Sequence, residues 1–280
     1  MTFTPSSIAP DPDRRFGGLS RLYGGSGAKK IRAAHIVVVG LGGVGSWAAE
    51  AAARSGVACL TLIDLDHIAE SNINRQVHAL DTTLGQSKVQ AMRDRIALIN
   101  PDCRVDCIED FVEAENWPDI VSLDSGFDSE KLAIIDACDQ VRAKTAMAAW
   151  AIKNMVNLIS VGAAGGKRLA HKVDIDDLAA VTHDPLLAQM RYRLRKEHRA
   201  ARLGKMSVPC VFSREPVMQP STPDALLKQS DKDEKMATMQ FAAQMQPDGS
   251  LNCHGYGSVV SVTATFGLCA ASWVLNKIAA

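Results

Sequence analysis

The sequence predicts an α/β fold: a mostly parallel sheet with helices on both faces, followed by a C-terminal lobe with a mobile loop and a buried helix. Three observations predict it. Apolar runs of strand length recur at 35–39, 58–63, 103–109, 131–136 and 156–161. Stretches of helical spacing separate most of them, at 44–55, 87–99 and 140–153, as right-handed crossovers between parallel strands require. The first run, His35-Ile36-Val37-Val38-Val39, leads directly into Gly40-Leu41-Gly42-Gly43-Val44-Gly45 and then a helix start.

The elements divide the chain into three. Residues 1–34 form an arm, loose over Met1–Asp13, with a short helix or turn between Gly17 and Lys30. Residues 35–170 form the core. There Gly40 permits a tight turn, Gly42 and Gly43 leave room for a phosphate against the backbone, and Gly45 lets the helix approach the strand. The helix N-terminus itself favours an anion. This is a Rossmann-like nucleotide turn. The second strand ends in Asp64, placed to accept a ribose hydroxyl. A short helix is expected near 114–122. Residues 171–280 form the C-terminal lobe. It begins past the turn cluster Gly162-Ala163-Ala164-Gly165-Gly166, with a short strand at Lys172–Ile175. A helical stretch follows over Asp177–Arg202, then a strand at Val208–Ser213, a mobile lid from Pro216 to Gly249, and an apolar helix at Ser258–Leu275.

Composition narrows the function classes. The 280 residues carry no net charge and are 47% apolar. Wholesale attraction to nucleic acid or anionic lipid is therefore not expected, and any such contact needs a local patch. Seven cysteines, an odd number without any CxxC pair, suit a reducing cytoplasm. Met1–Arg15 has no secretory pattern. Ser258–Leu275 is long enough to span a bilayer, yet it carries Ser258, Ser261, Thr263, Thr265 and Ser272, which favours a helix buried on the sheet.

Four further motifs follow the glycine turn: Asp64-Leu65-Asp66, Asn72-Ile73-Asn74-Arg75-Gln76, Gly85-Gln86-Ser87-Lys88 and Asp136-Ala137-Cys138-Asp139. In this order, over roughly residues 14–165, they resemble the ubiquitin-activating-type (HesA/MoeB/ThiF) adenylyltransferase superfamily. The resemblance implies adenylation of a carboxylate by ATP. Such a reaction needs cations on the phosphates and a carboxylate for Mg2+. Arg75 and Lys88 then serve as the catalytic phosphate cations and Asp139 holds Mg2+. Asn72 orients phosphate or ribose, and Asn74 and Gln76 brace the loop. The plainer readings are solvated helix-end charges for Arg75 and Lys88, a loop cap for Asp64 and a helix N-cap for Asp139. Asp66 and Asp136 fit either a functional or a backbone-orienting role. The resemblance also implies a homodimer in which an N-terminal arginine, Arg15 or Arg21, enters the partner's site.

A wider set of stretches resembles one branch, the tRNA threonylcarbamoyladenosine dehydratases. They are Arg15-Phe16-Gly17-Gly18 with Arg21-Leu22-Tyr23-Gly24, Gly42 to Glu50, Asn74 to Leu80, Gly162 to Gly166, Asp184-Pro185-Leu186, Cys210-Val211-Phe212-Ser213 and Val262 to Gly267. This implies ATP-dependent cyclisation of N6-threonylcarbamoyladenosine beside the anticodon, through an acyl-adenylate. It also implies a monovalent cation, Na+ or K+, near Gly162–Gly166, and a link in some relatives to a cysteine desulfurase. Arg191, Arg193, Arg195, Lys196, Arg199, Arg202 and Lys205, with Tyr192 and His198 among them, give the local patch that tRNA needs. Arg191, Arg195 and Arg199 are its candidate contacts; a solvated face is the plainer reading, and DNA is not expected. The lid has no cysteine, so Cys210 and Cys253 are the remaining nucleophile candidates, and Cys103 and Cys107 read as ordinary strand residues. Two other activities share the glycine turn. Adenylation of a sulfur-carrier protein usually comes with zinc. An NAD-dependent dehydrogenase leaves Arg75, Lys88 and Asp139 unexplained.

Overall fold

The computed structural model describes residues 10–122, 128–218 and 256–280. A helix, α1, covers Pro12–Arg32 and is broken at Gly24, where φ is 72°. It starts earlier than expected because Asp11 accepts from the backbone N–H of Asp13 and Arg14, and Pro12 occupies the first helical position. The loose arm therefore does not reach Asp13, and Arg14 and Arg15 are helical.

The sheet has seven strands in the order β3-β2-β1-β4-β5-β7-β6. They are β1 (His35–Val39), β2 (Cys59–Ile63), β3 (Arg104–Ile108), β4 (Leu132–Asp136), β5 (Asn157–Val161), β6 (Val173–Asp177) and β7 (Pro209–Ser213). All neighbours are parallel except β6, which runs against β7. The connections reverse direction between β1 and β4, so a crevice opens there at the carboxyl ends of the strands. Register aligns Val39 with Ile63 on one side and with Asp136 on the other, which brings the three strand ends level.

Alternation along the strands feeds two cores. Ile36, Val38, Leu60 and Leu62 pack against Ala48, Ala49 and Ala52 of α2 (Gly45–Arg54), with Met92 of α3 (Lys88–Ile99) beyond. Val37, Val39 and Ile134 face the other way, onto Met147 and Ala148 of α4 (Val141–Asn154) and Leu187, Met190 and Leu194 of α5 (Pro185–Glu197). Strands buried on both faces read as continuous apolar runs, as β2 and β4 do.

The closing helix, α6 (Val260–Ala279), belongs to the first core. Val262, Phe266, Ala270, Val274 and Ile278 are buried against α1, α2 and β5. A Cβ added at Gly267 would lie 2.3 Å from Val44 O, so a glycine there lets α6 touch the start of α2 backbone to backbone. By length and composition this helix could cross a membrane, but half of it is buried inside the fold.

Three expected boundaries move. The stretch 114–122 holds only a 3-10 turn at Asp119–Val121. The expected helix 177–202 is shorter, because β6 runs through Asp177 and the Asp184-Pro185 pair starts α5. Asp184 accepts from Leu187 N–H at 2.9 Å, which caps it. The segment 171–280 adds β6 and β7 to the same sheet as the core. Of the expected lid, residues 219–249 lie outside the described residues. The residues flanking that stretch meet at Gly166, whose N–H donates to Gly257 O at 3.0 Å while its carbonyl accepts from Met218 N–H at 2.9 Å.

Candidate active site

The glycine turn runs from the end of β1 to the start of α2. Gly40 has φ +85°, and a Cβ there would meet Ala137 O at 2.9 Å. At Gly45 a Cβ would lie 1.8 Å from Gly40 O. Nothing lies within 4 Å of the corresponding position at Gly42, which leaves the backbone open to a ligand. Gly43 lies against the Arg75 stem, where an added Cβ would be 3.0 Å from Cγ.

Asp64 is buried at the end of β2. One carboxylate oxygen accepts from Leu41 N–H at 2.6 Å and the other from Asp66 N–H at 2.9 Å. It therefore ties the glycine turn to the neighbouring strand end. Burial pushes its carboxyl up; the nearby Lys88 charge and the two amides oppose that shift. Lys88, at the start of α3, places Nζ 2.6 Å from Asp66 Oδ2 and 3.5 Å from Asp64 Oδ1. Its side chain is 7% exposed. The ammonium is thus held at the cavity by two carboxylates.

Asn72 is buried in a 3-10 turn, Glu70–Asn72, and its side-chain oxygen accepts from Ala69 N–H at 3.1 Å. That satisfies the backbone and leaves the amide N–H groups for the cavity. Arg75 is half-buried; Nη1 donates to Ser71 O at 2.7 Å and to Asn74 Oδ1 at 2.9 Å. Its own carbonyl accepts from the Trp47 indole of α2 at 2.9 Å. Asn74 also donates to Ser258 O, just before α6, at 3.0 Å. The loop is braced from two helices. Gln76 also lines the cavity, and its buried side-chain oxygen has no hydrogen-bond partner among the described residues.

Asp139 lies past the end of β4, exposed, with no hydrogen bond or ion pair among the described residues. Below it is a feature the sequence reading missed. Asp136 and Lys144 are both fully buried and pair at 2.9 Å. Lys144 also donates to Cys138 O at 2.9 Å, and Ser160 of β5 donates to Asp136 at 2.6 Å. Burial alone would push Lys144 down, but the Asp136 carboxylate outweighs it and holds the ammonium above its ordinary value. Asp136 thus orients the floor of the site. A lysine three residues into α4, after a strand-end aspartate, was the available signal.

Together Gly40, Gly42, Asp64, Asn72, Arg75, Lys88 and Asp139 line one cavity of about 470 Å³, closed on its far side by Gly162–Gly165. It lies where the strand order reverses. No group of three or more His, Cys, Asp or Glu able to hold a metal occurs among the described residues.

The other expected residues lie elsewhere. On α5, Arg191 Nη1 donates to Leu178 O at 2.9 Å and to Val181 O at 3.0 Å. Arg195 reaches Ala201 O at 3.2 Å and Arg202 O at 3.4 Å. Arg199 is exposed beyond the end of the helix, with φ +55°, rather than on it. A hollow of about 460 Å³ lies among Arg191, Tyr192, Arg195, Lys196 and Arg202. Arg15 donates to Ile99 O at 2.7 Å, at the end of α3 away from the cavity, whereas Arg21 is exposed on α1. Cys210 is fully buried in β7, and burial pushes its thiol well up; Cys253 lies outside the described residues.

A mostly parallel sheet with a glycine turn, a buried strand-end acid and two cations around one crevice defines a nucleotide-binding protein of the adenylate-forming kind. The chain belongs to the ThiF family, whose model matches residues 16–279. It is 39% identical over 281 residues to the tRNA threonylcarbamoyladenosine dehydratase of Haemophilus influenzae, covering 99% of this chain and 98% of the relative. A crystal structure of the Escherichia coli tRNA N6-threonylcarbamoyladenosine dehydratase in complex with ATP matches with a TM-score of 0.78 at 38% identity. That match covers 97% of this chain and 96% of the other. The molybdopterin-synthase adenylyltransferase of Salmonella typhimurium is 33% identical over 134 residues, 48% of this chain and 51% of its own.

Proposed function

We propose that this chain is an ATP-dependent tRNA threonylcarbamoyladenosine dehydratase. The observation that carries the reading is the convergence of Asp64, Arg75, Lys88 and Asp139 on one cavity beside the glycine turn. Full-length similarity to dehydratases from two bacteria supports the substrate. In this reading the carboxylate of N6-threonylcarbamoyladenosine attacks the α-phosphorus of ATP and pyrophosphate leaves. The ureido group then closes on the activated carbonyl and AMP leaves. Closure is intramolecular, so both groups are already within reach and no protein thioester is required.

The residues divide the work. Gly42 and the start of α2 receive phosphate oxygens. Asp64 accepts from the ribose. Arg75 and Lys88 offset the charge that builds on the phosphates, and Lys88 exchanges its carboxylate partners for them. Asp139, the exposed carboxylate on the cavity, would hold Mg2+, an ion that commonly takes only one or two protein carboxylates. When bound, Mg2+ supplies charge neutralisation to the departing pyrophosphate.

The tRNA backbone is held by α5. Leu186, in its first turn, lines the cavity, and Arg195 lies about 13 Å further along the helix. Arg199, exposed beyond the helix, and Lys196, stacked over Tyr192 at 5.8 Å, extend that contact. The chain acts in the cytoplasm as a homodimer, and Arg21 is the N-terminal arginine left available to a partner site. A cysteine desulfurase partner remains part of the reading drawn from the resemblance. The test is incubation with ATP, Mg2+ and tRNA bearing the threonylcarbamoyl group, followed by mass analysis of the nucleoside. Loss of one water with release of AMP is expected; an unchanged nucleoside overturns the assignment.

A further inference from the structure

Among the described residues three lysines are buried: Lys88, Lys144 and Lys167. The first two face carboxylates. Lys167 faces carbonyls. Its ammonium donates to His183 O at 3.0 Å and to Glu215 O. Among the described residues no carboxylate stands within ion-pair distance of it; Asp184 and Glu215 act on it at longer range. Burial pushes the ammonium down, and those two acids oppose the shift.

The arrangement joins three segments. The first is the turn after β5, residues 162–169. The second is His183-Asp184, just before α5. The third is the stretch leaving β7. His183 adopts φ +56°, in the left-handed region. Asp184 accepts from Ala163 N–H at 2.9 Å, and Glu215 accepts from the N–H groups of Arg168 and Leu169 at 3.0 and 2.8 Å. These bonds fasten the turn on either side of Lys167. Its other face, Gly162 to Gly165, forms a wall of the nucleotide cavity.

Backbone carbonyls turned onto a buried positive charge are how proteins replace the hydration shell of a monovalent cation. An ammonium ion is close to K+ in size and charge, and a lysine carries one on a flexible stem. We propose that the Lys167 ammonium is a tethered monovalent cation, which takes the place of free Na+ or K+ at this wall and positions Gly162–Gly165 for the nucleotide. Lys167 is a positioning residue; it touches neither substrate nor ATP. The proposal rests on the dehydratase reading only for its catalytic consequence. Its structural consequence is that nucleotide binding needs no added alkali cation.

The experiment measures ATP affinity and cyclisation for the wild type, Lys167→Ala and Lys167→Gln, in Tris chloride and in K+, NH4+ or tetramethylammonium chloride at equal ionic strength. The wild type should behave alike in all four. Lys167→Ala should lose roughly tenfold to a hundredfold in Tris, the scale of a displaced site wall. K+ or NH4+ should restore most of that, and tetramethylammonium, too large for the space, should not. If Lys167→Ala fails to fold, Lys167→Gln is read by thermal denaturation, and K+ should raise its Tm more than that of the wild type. A wild type that requires K+ or Na+ overturns the proposal. So does a folded Lys167→Ala whose loss no cation alters, a fully active Lys167→Ala, or a Lys167→Gln Tm that K+ leaves unmoved. A wild type that binds ATP but forms no cyclic product refutes the dehydratase reading instead, and the ATP-affinity arm still decides the role of Lys167.

Discussion

The positive charges around the cavity and those on α5 are built differently. Around the cavity, Arg75 and Lys88 are held by carboxylates and carbonyls at the edge of open space. Their partners can be exchanged for a ligand's phosphates. On α5, Arg191 and Arg195 are spent on backbone carbonyls that the helix and its flanking loops leave unpaired. By sequence the second cluster is much the denser. Density of charge along a chain does not measure charge available to a ligand, because a guanidinium with well-placed carbonyl acceptors already has its hydrogen bonds.

The floor of the cavity offers the largest test of that contrast. Lys144→Met should strand the Asp136 carboxylate in a dry interior and cost about 3–5 kcal/mol of stability. Replacing both residues with apolar ones should cost much less. Urea denaturation of the single and double variants reads this directly. Equal losses in the two would mean that the pair matters for packing, and that the cavity charges do not depend on a fixed floor.

At the cavity itself, Arg75→Ala, Lys88→Ala and Asp139→Ala should each lower cyclisation roughly a hundredfold or more with little change in Tm. Asp139→Ala should also raise the Mg2+ concentration needed for the remaining activity. Wild-type turnover in any one of the three removes that residue from the machinery.

On α5 the two kinds of arginine should separate. Arg199→Ala should weaken tRNA binding by severalfold and flatten its salt dependence, with unchanged Tm and ATP affinity. Arg191→Ala should instead lower stability by about 1–3 kcal/mol, the cost of two stranded carbonyls. If Arg191→Ala leaves stability untouched but weakens tRNA binding, its carbonyl bonds are incidental and the α5 charges are as available to a ligand as those of the cavity.

The last effect is in acid. His78 is buried within reach of the Lys88 and Arg95 charges, and burial followed by those two charges lowers its pKa to about 4. A histidine whose folded pKa is below its unfolded value of 6.5 stabilises the fold above that value. That contribution is lost as pH falls from about 6.5 through about 4. Stability should therefore drop across this window, and His78→Asn should flatten the drop. An identical slope in the variant would assign the acid sensitivity to other groups.

How much of this was legible beforehand follows from the range of the interactions. The glycine turn, Asp64 and the strand runs are local patterns, and the structure keeps them within a residue or two. The early start of α1 is also local: Asp11 caps it and Pro12 takes the first helical position. The Asp136–Lys144–Ser160 network could not be read so, because Ser160 arrives from a strand 24 residues away.

The sequence by itself determined the class of fold, the nucleotide turn and the residue types that phosphate chemistry needs, since each depends on periodicity or on neighbours within one β-α unit. Only the tertiary structure decided which charges remain free to meet a ligand. Asp139 came to lie exposed on the cavity, without a partner among the described residues, while Arg191 was drawn onto the carbonyls of Leu178 and Val181. Lys167, one polar residue after a glycine cluster, became a buried cation only because β7 and the start of α5 bring Glu215 and His183 to it. Those partners lie 16 and 48 residues further along the chain, and nothing local specifies them.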